Sequence, residues 1–304
     1  MKLIADSGST KTDWTLMHSP NPLLSNEIVA TFHTQGITPI HQSAADIRKI
    51  LDEELLHQLS TFPRAKLFEM GGLTTPLHQS IDVFFYGTGC TPATIPMMKQ
   101  LLQESLSCKS VEVHSDLMAA ARALCGHEAG IACILGTGSG SCLCREGNPV
   151  RQVPSLGYIL GDEGSGAVLG KRLVGDVLKG QLPEELKEEF LSTFSLSQQD
   201  IIDKVYRQPA ANRFLASLCP FLLNHRDRPE IRQLIENEFE RFVRRNVMMY
   251  ERPDLEVRYV GGISVHFEPE LRRVHTRLGL KMGCADGAPI KKMAEFHRKN
   301  DFWP

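Results

Sequence analysis

Two short stretches, roughly half a chain apart, constrain this sequence more than anything else in it. The first is A-D-S-G-S-T-K-T-D-W at residues 5–14, and the second is L-G-T-G-S-G-S at residues 135–141. Each links two strand-like runs: Lys2–Ala5 to Asp13–His18 in the first case, Gly130–Leu135 to Cys142–Arg145 in the second. A strand–turn–strand unit repeated at that distance points to an internal duplication. The architecture it predicts is α/β, with two domains of one fold facing each other across a cleft.

The intervening pattern agrees, because strands and helices alternate along the chain. After the first turn come a strand at Glu27–Phe32 and an amphipathic helix at Ser43–Leu59, with Ser43 and Asp46 as start signals. Strand Ile81–Tyr86, helix Thr91–Leu106, strand Val111–His114 and helix Asp116–Cys125, closed by Gly126, complete the first pass. Beyond the second turn, residues 163–250 read as a mostly helical insertion, followed by strand Leu255–Val260 and a closing helix at Pro289–Asn300. The expected division is a first domain at residues 1–112 and a second at 113–304, with helix 289–304 packing back on the first.

Composition excludes several functions. A net charge of −2 over 304 residues provides no electrostatic footprint for nucleic acid or a membrane surface. No apolar run reaches the length of a membrane span, and Asp6 interrupts any leader-like start, so a cytoplasmic protein is expected. The basic run Arg241–Arg245 has helical spacing and reads as a solvated helix face. Eight scattered cysteines form no C-x-x-C pair, and Cys142 and Cys144 alternate on one strand face. They read as reduced, buried thiols rather than a zinc site.

Five positions then carry candidate chemistry. In the first turn, Gly8, Ser9, Thr10, Lys11 and Thr12 offer unobstructed backbone N–H groups, hydroxyls and an ammonium, the makings of an anion nest for nucleotide phosphates. Asp6 at the strand end would then hold Mg²⁺ through water. The second turn, Gly136, Thr137, Gly138 and Ser139, shares that character. It lacks the third glycine of the dinucleotide fingerprint and leads to a strand, so a Rossmann site is excluded. A functionless glycine-rich hairpin is the alternative for either turn alone. The segment Gly157–Gly166 sets Asp162 and Glu163 among four glycines, which indicates either a close ligand approach or a helix cap. Asp116 stands where a strand passes into a helix, placed either to take a proton from an attacking hydroxyl or to cap the helix. Gly261-Gly262, after an apolar strand, lets a flat ring such as adenine approach or simply makes a tight turn.

Taken in order, D-S-G-S-T-K-T-D-W, F-Y-G-T-G-C, L-G-T-G-S-G, L-G-D-E-G-S-G and V-G-G-I resemble the BadF/BadG/BcrA/BcrD-type ATPase family, and within it the N-acetylglucosamine kinases. These belong to the sugar kinase/Hsp70/actin superfamily, and the motifs span nearly the whole chain. The resemblance implies two ribonuclease-H-like (actin-like ATPase) domains that close on ATP and a sugar. It makes residues 6–13 the first phosphate loop, 134–140 the second and 260–263 the adenosine segment. It makes Asp116 the catalytic base and Asp162 a sugar contact, together with the loop containing Gly36 and Thr38 and the amides near Gly138 and Ser139. The implied activity is transfer of the γ-phosphate of ATP, with Mg²⁺, to the 6-hydroxyl of N-acetylglucosamine or a related amino sugar, and a homodimer is compatible with it. The alternative is an ATP-hydrolysing activator that drives a protein partner. The cysteine motif of the dehydratase-activating branch and the C-x-C-G-x-x-G-C zinc signature of another sugar-kinase family are both absent from the sequence.

Overall fold

A computed structural model of the chain describes residues 1–17, 28–62 and 81–300. The last residue of the expected strand Asp13–His18, the first of Glu27–Phe32 and the tail 301–304 lie outside the described residues. The chain divides into two compact units, Met1–Gly126 with Pro289–Pro304, and His127–Ala288. Helix Ile290–Asn300 falls in the first unit.

The first unit is built on a mixed five-stranded sheet. Its strands are β1 (Lys2–Ser7), β2 (Lys11–Met17), β3 (Ile28–Gln35), β4 (Asp82–Gly87) and β5 (Ser110–Ser115), in the order β3-β2-β1-β4-β5. The hairpin strands β1, β2 and β3 run antiparallel, while β4 and β5 join parallel to β1. Leu3, Ile4 and Ala5 are fully buried, as a strand covered on both faces requires. The expected boundary at residue 112 falls inside β5, which is hydrogen-bonded along its length to β4. For that reason the unit extends through helix Asp116–Cys125 to Gly126.

The second unit repeats the plan. Its strands are β6 (Gly130–Leu135), β7 (Ser139–Arg145), β8 (Asn148–Val153), β9 (Glu256–Val260) and β10 (Lys281–Asp286), in the order β10-β9-β6-β7-β8. Read from β8, the order and the directions match those of the first sheet. The duplication inferred from the two turns is thus a duplication of whole sheets. Helices fill residues 166–242 between β8 and β9. Their apolar faces bury Phe190, Phe239 and Phe242 in one core with Tyr259 of β9 and Phe267 beyond it.

Local signals explain several element ends. Ser43 and Asp46 form a capping box at Ala44–Lys49, and the helical path continues through a wider turn at Ile50–Leu55 to Leu56–Thr61. Ser115 caps Asp116–Cys125 by accepting the Met118 N–H. The basic run is ion-paired: Arg241 with Glu238, Arg244 with Glu240, Arg245 with Glu163. Seven cysteines are buried and Cys284 is exposed, which corrects the expectation for that one thiol: it lies on β10, an edge strand. Among the described residues no helix is long and apolar enough to cross a membrane.

Candidate functional site

In the first unit the turn between β1 and β2 is closed by the Gly8 N–H on the Lys11 carbonyl (3.0 Å). A second segment supports it from behind. The Gly36 N–H donates to the Thr10 carbonyl, and a Cβ on Gly36 would stand 2.4 Å from the Gly8 carbonyl oxygen and 2.8 Å from the Thr10 nitrogen. Only glycine permits this approach. The Ser7 hydroxyl ties the same segment to β1, donating to the Ile37 carbonyl and accepting the Ile37 N–H, each at 3.0 Å. The two loops assigned separately by the resemblance therefore form one packed unit.

The side chains of this turn divide into two groups. Ser9 and Thr10 sit at its tip, half-buried and exposed respectively. Lys11 is exposed and paired with Asp13 at 2.8 Å, and Asp13 also meets His33 Nδ1 at 2.7 Å. Thr12, expected to face phosphate, is fully buried instead. Its hydroxyl lies 2.7 Å from Ser7 Oγ and donates to the Gln35 carbonyl, so it braces the hairpin. Thr38 is buried, and its hydroxyl has no hydrogen-bond partner among the described residues, although its backbone is fixed by Gln42. A buried hydroxyl left without a partner is costly and signals a place for a polar ligand group.

Asp6 is the penultimate residue of β1, its carboxyl pushed up to about 7, first by burial, then by the negative charges of Asp13 and Asp116, with Lys11 acting the other way. A hard cation would relieve that repulsion. Among the described residues no three His, Cys, Asp or Glu side chains are grouped to hold a metal alone. This donor chemistry fits Mg²⁺, which takes one or two carboxylates and fills its shell with phosphate oxygens and water. A pH effect follows. From its ordinary 3.8 up to about 7, the folded chain keeps a proton on Asp6 that the unfolded chain has lost. The contribution of this group to stability therefore falls as pH rises through that window. In metal-free buffer the stability difference between wild type and Asp6→Asn should shift toward the variant from pH 4 to pH 7, measured by denaturant unfolding. An unchanged difference would show that the carboxyl is not raised.

Asp116 is the first residue of its helix, and the sequence left open whether it caps that helix or is available for chemistry. Ser115 takes the cap, leaving the carboxylate free of that duty. One oxygen accepts the Leu117 N–H and the other the Thr88 hydroxyl, both at 2.8 Å. Burial raises its proton affinity against these two hydrogen bonds. Thr88 was not among the residues expected at the site. The signal for it was F-Y-G-T-G-C, where a single hydroxyl stands between two glycines directly after a strand.

In the second unit the turn between β6 and β7 is closed by the Gly136 N–H on the Gly138 carbonyl (3.0 Å). The start of helix Gly166–Leu178 donates into it, from the Gly166 N–H to the Gly136 carbonyl and from the Ala167 N–H to the Thr137 carbonyl. The first N–H groups of that helix, which have no partner within it, thus fix the turn. Ser165 is the cap, so neither Asp162 nor Glu163 serves as one. Asp162 takes a left-handed backbone with φ 55°, and its carboxylate oxygen lies 3.0 Å from where a Cβ on Gly138 would stand. Burial pushes its carboxyl up, opposed by the Ser139 N–H. Its neighbour Glu163 is held by Arg245 at 2.5 Å.

Gly261, expected beside adenine, has a different reason for being glycine. Its φ is +111°, and a Cβ would stand 2.4 Å from the Leu135 carbonyl oxygen at the end of β6. It packs against the second turn's own strand. Gly262 opens the short helix Gly262–His266, and a Cβ there would meet only His266 Cδ2, at an ordinary contact distance of 3.9 Å.

A scan against protein families matches none, and no curated protein matches the chain. Solved structures do match. A protein from Porphyromonas gingivalis, provisionally named an N-acetylglucosamine kinase, is 42% identical, with 99% of each chain covered and a TM-score of 0.88. A similarly named protein from Chromobacterium violaceum is 22% identical over 97% of this chain and 98% of that one, with a TM-score of 0.69. A ROK family glucokinase from Streptomyces griseus, solved with glucose and AMPPNP, is 14% identical over 98% and 99%, with a TM-score of 0.53. The last two share the fold.

Proposed function

Because this chain belongs to the N-acetylglucosamine kinase-like family of actin-like sugar kinases, we propose that it transfers the γ-phosphate of ATP to the 6-hydroxyl of N-acetylglucosamine or a closely related amino sugar. The observation that carries this reading is the state of Asp116. It is a half-buried carboxylate at a strand–helix junction, relieved of capping by Ser115 and with each oxygen engaged by one donor. Such a group is a general base of raised basicity, suited to take the proton of the acceptor hydroxyl as that oxygen attacks phosphorus.

The remaining roles follow from charge and shape. The turns at Gly8–Thr10 and Gly136–Ser139 bind the phosphates through backbone N–H groups, with Lys11 adding positive charge. Asp6 holds Mg²⁺ through water, and the ion supplies charge neutralisation on the phosphate oxygens. Thr38 gives the sugar a hydroxyl otherwise without a partner, and Asp162 accepts from a sugar hydroxyl beside the Gly138 and Ser139 amides. Gly262, whose Cβ position has no neighbour closer than 3.9 Å, lies against the adenine.

The test is ADP release, coupled to a spectrophotometric readout, across hexosamines, N-acetylhexosamines and N-acetylmuramate. Acceleration by an N-acetylated hexosamine of at least tenfold over the sugar-free rate is expected. Acceleration by none of them would sink the kinase reading.

A further inference from the structure

We propose that Thr88 is the positioning residue of the transfer base, fixing the Asp116 carboxylate in the orientation in which it meets the acceptor hydroxyl. The proposal rests on the reading of Asp116 as that base. Thr88 follows the last residue of β4, and its N–H donates to the Ser7 carbonyl at 3.0 Å, extending the β1–β4 ladder by one step. The backbone of Thr88 is therefore anchored to the strand that carries Asp6. Its hydroxyl donates to Asp116 Oδ2 at 2.8 Å, while the Leu117 N–H holds Oδ1 at the same distance.

The second contact alone would not fix the side chain. An N–H from the next residue in the chain pins one oxygen and leaves the carboxylate plane able to turn about it. A donor on Oδ2 from a different element removes that freedom, and a β-branched side chain is stiff enough to do so. It also leaves one lone pair of Oδ2 open, since each carboxylate oxygen has two acceptor sites.

The two glycines flanking Thr88 are explained by the same geometry. A Cβ on Gly87 would stand 2.7 Å from the Phe85 ring, and Gly89 has φ +81° with its Cβ position 2.9 Å from Ile40 and 3.3 Å from Thr38. The turn is thus held between β1 and the loop that carries the unpartnered Thr38 hydroxyl. Thr88 joins the base to the first phosphate turn, and its neighbour Gly89 packs on the expected sugar loop.

The test compares wild type, Thr88→Val and Thr88→Ser. Valine keeps the shape and removes the donor, and serine restores the donor. In T88V, kcat for sugar-dependent ADP release should fall about tenfold to a hundredfold, with both KM values nearly unchanged, and T88S should recover most of it. The carboxyl ¹³C resonance of Asp116, assigned by its loss in Asp116→Asn, should move in T88V at fixed pH and return in T88S. Wild-type kcat in T88V overturns the proposal, as does a loss that serine fails to recover. If wild type transfers phosphate to no sugar, the reading of Asp116 fails and Thr88 is judged on the resonance alone. A shift reversed by serine then upholds the contact, and no shift overturns it.

Discussion

Replacing Asp116 with asparagine should lower kcat for sugar phosphorylation by about 10²–10⁴-fold while leaving both substrates bound. Asparagine is nearly the same size, and Ser115 rather than Asp116 caps the helix, so the fold loses no cap. The amide can still accept from Thr88 or from the Leu117 N–H. What it cannot do is take a proton. Calorimetry should give ATP and sugar affinities within a few-fold of wild type, and turnover should be all that changes. In the wild-type enzyme kcat should decline as pH falls through the raised value of this carboxyl, because protonation blocks the base. Normal turnover in the asparagine variant would remove Asp116 from its assigned role.

The second large effect concerns backbone packing. Gly261→Ala should destabilise the chain by about 2–5 kcal/mol, combining an unfavourable backbone conformation with overpacking. The added methyl would stand 2.4 Å from the Leu135 oxygen and 2.7 Å from its carbonyl carbon, in a backbone with φ +111°. Neither contact is a flexible side-chain end, so β6 and the turn beginning at Gly136 must move. The KM for ATP should rise together with the loss of stability. Gly262→Ala is the control, since the nearest atom to its Cβ would be His266 Cδ2 at 3.9 Å. That variant should unfold close to wild type, by about 1 kcal/mol or less, and if Gly262 lies against the adenine it should still raise the KM for ATP. Equal stability of the Gly261 variant and wild type, by urea unfolding, would overturn the packing account.

Much of this architecture was legible because the signals were local. The two glycine-bearing turns each sit between apolar strands, and each strand pair formed, although both ladders run further into the turn than expected, to Ser7–Thr12 and Leu135–Ser139. Helix Asp116–Cys125 and strand β6 have the expected ends, since Ser115, Gly126 and Gly136 punctuate them. The second sheet also contains two strands the sequence did not announce. β8 is an edge strand, exposed or half-buried along its length, with no apolar alternation to reveal it. Its one signal is Glu146-Gly147, both at positive φ, a tight hairpin turn of the kind that suits a two-residue loop. β10 is interrupted by a register shift between Met282 and Ala285, which breaks the period on which strand recognition depends.

At the site, residue types were legible and partners were not. A string of small residues reveals room for phosphate, but it does not reveal that Thr12 turns inward to Ser7. Nor does it reveal that Gly36 is required by the back of the first turn, or Gly261 by the strand before the second. These are contacts between segments distant in sequence, decided by packing rather than by any local propensity. Thr88 belongs to the same class. Its motif was visible, but the contact with Asp116, 28 residues on, needed the folded chain.

The most direct measurement of the central claim is the identity of the phosphorylated product. Incubation with Mg²⁺, ATP and N-acetylglucosamine, followed by ³¹P NMR, should give a phosphomonoester resonance coupled to the two methylene protons at C6, in equal amount to ADP. ADP accompanied only by inorganic phosphate, unchanged by any amino sugar, would contradict the account and mark the chain as an ATP hydrolase.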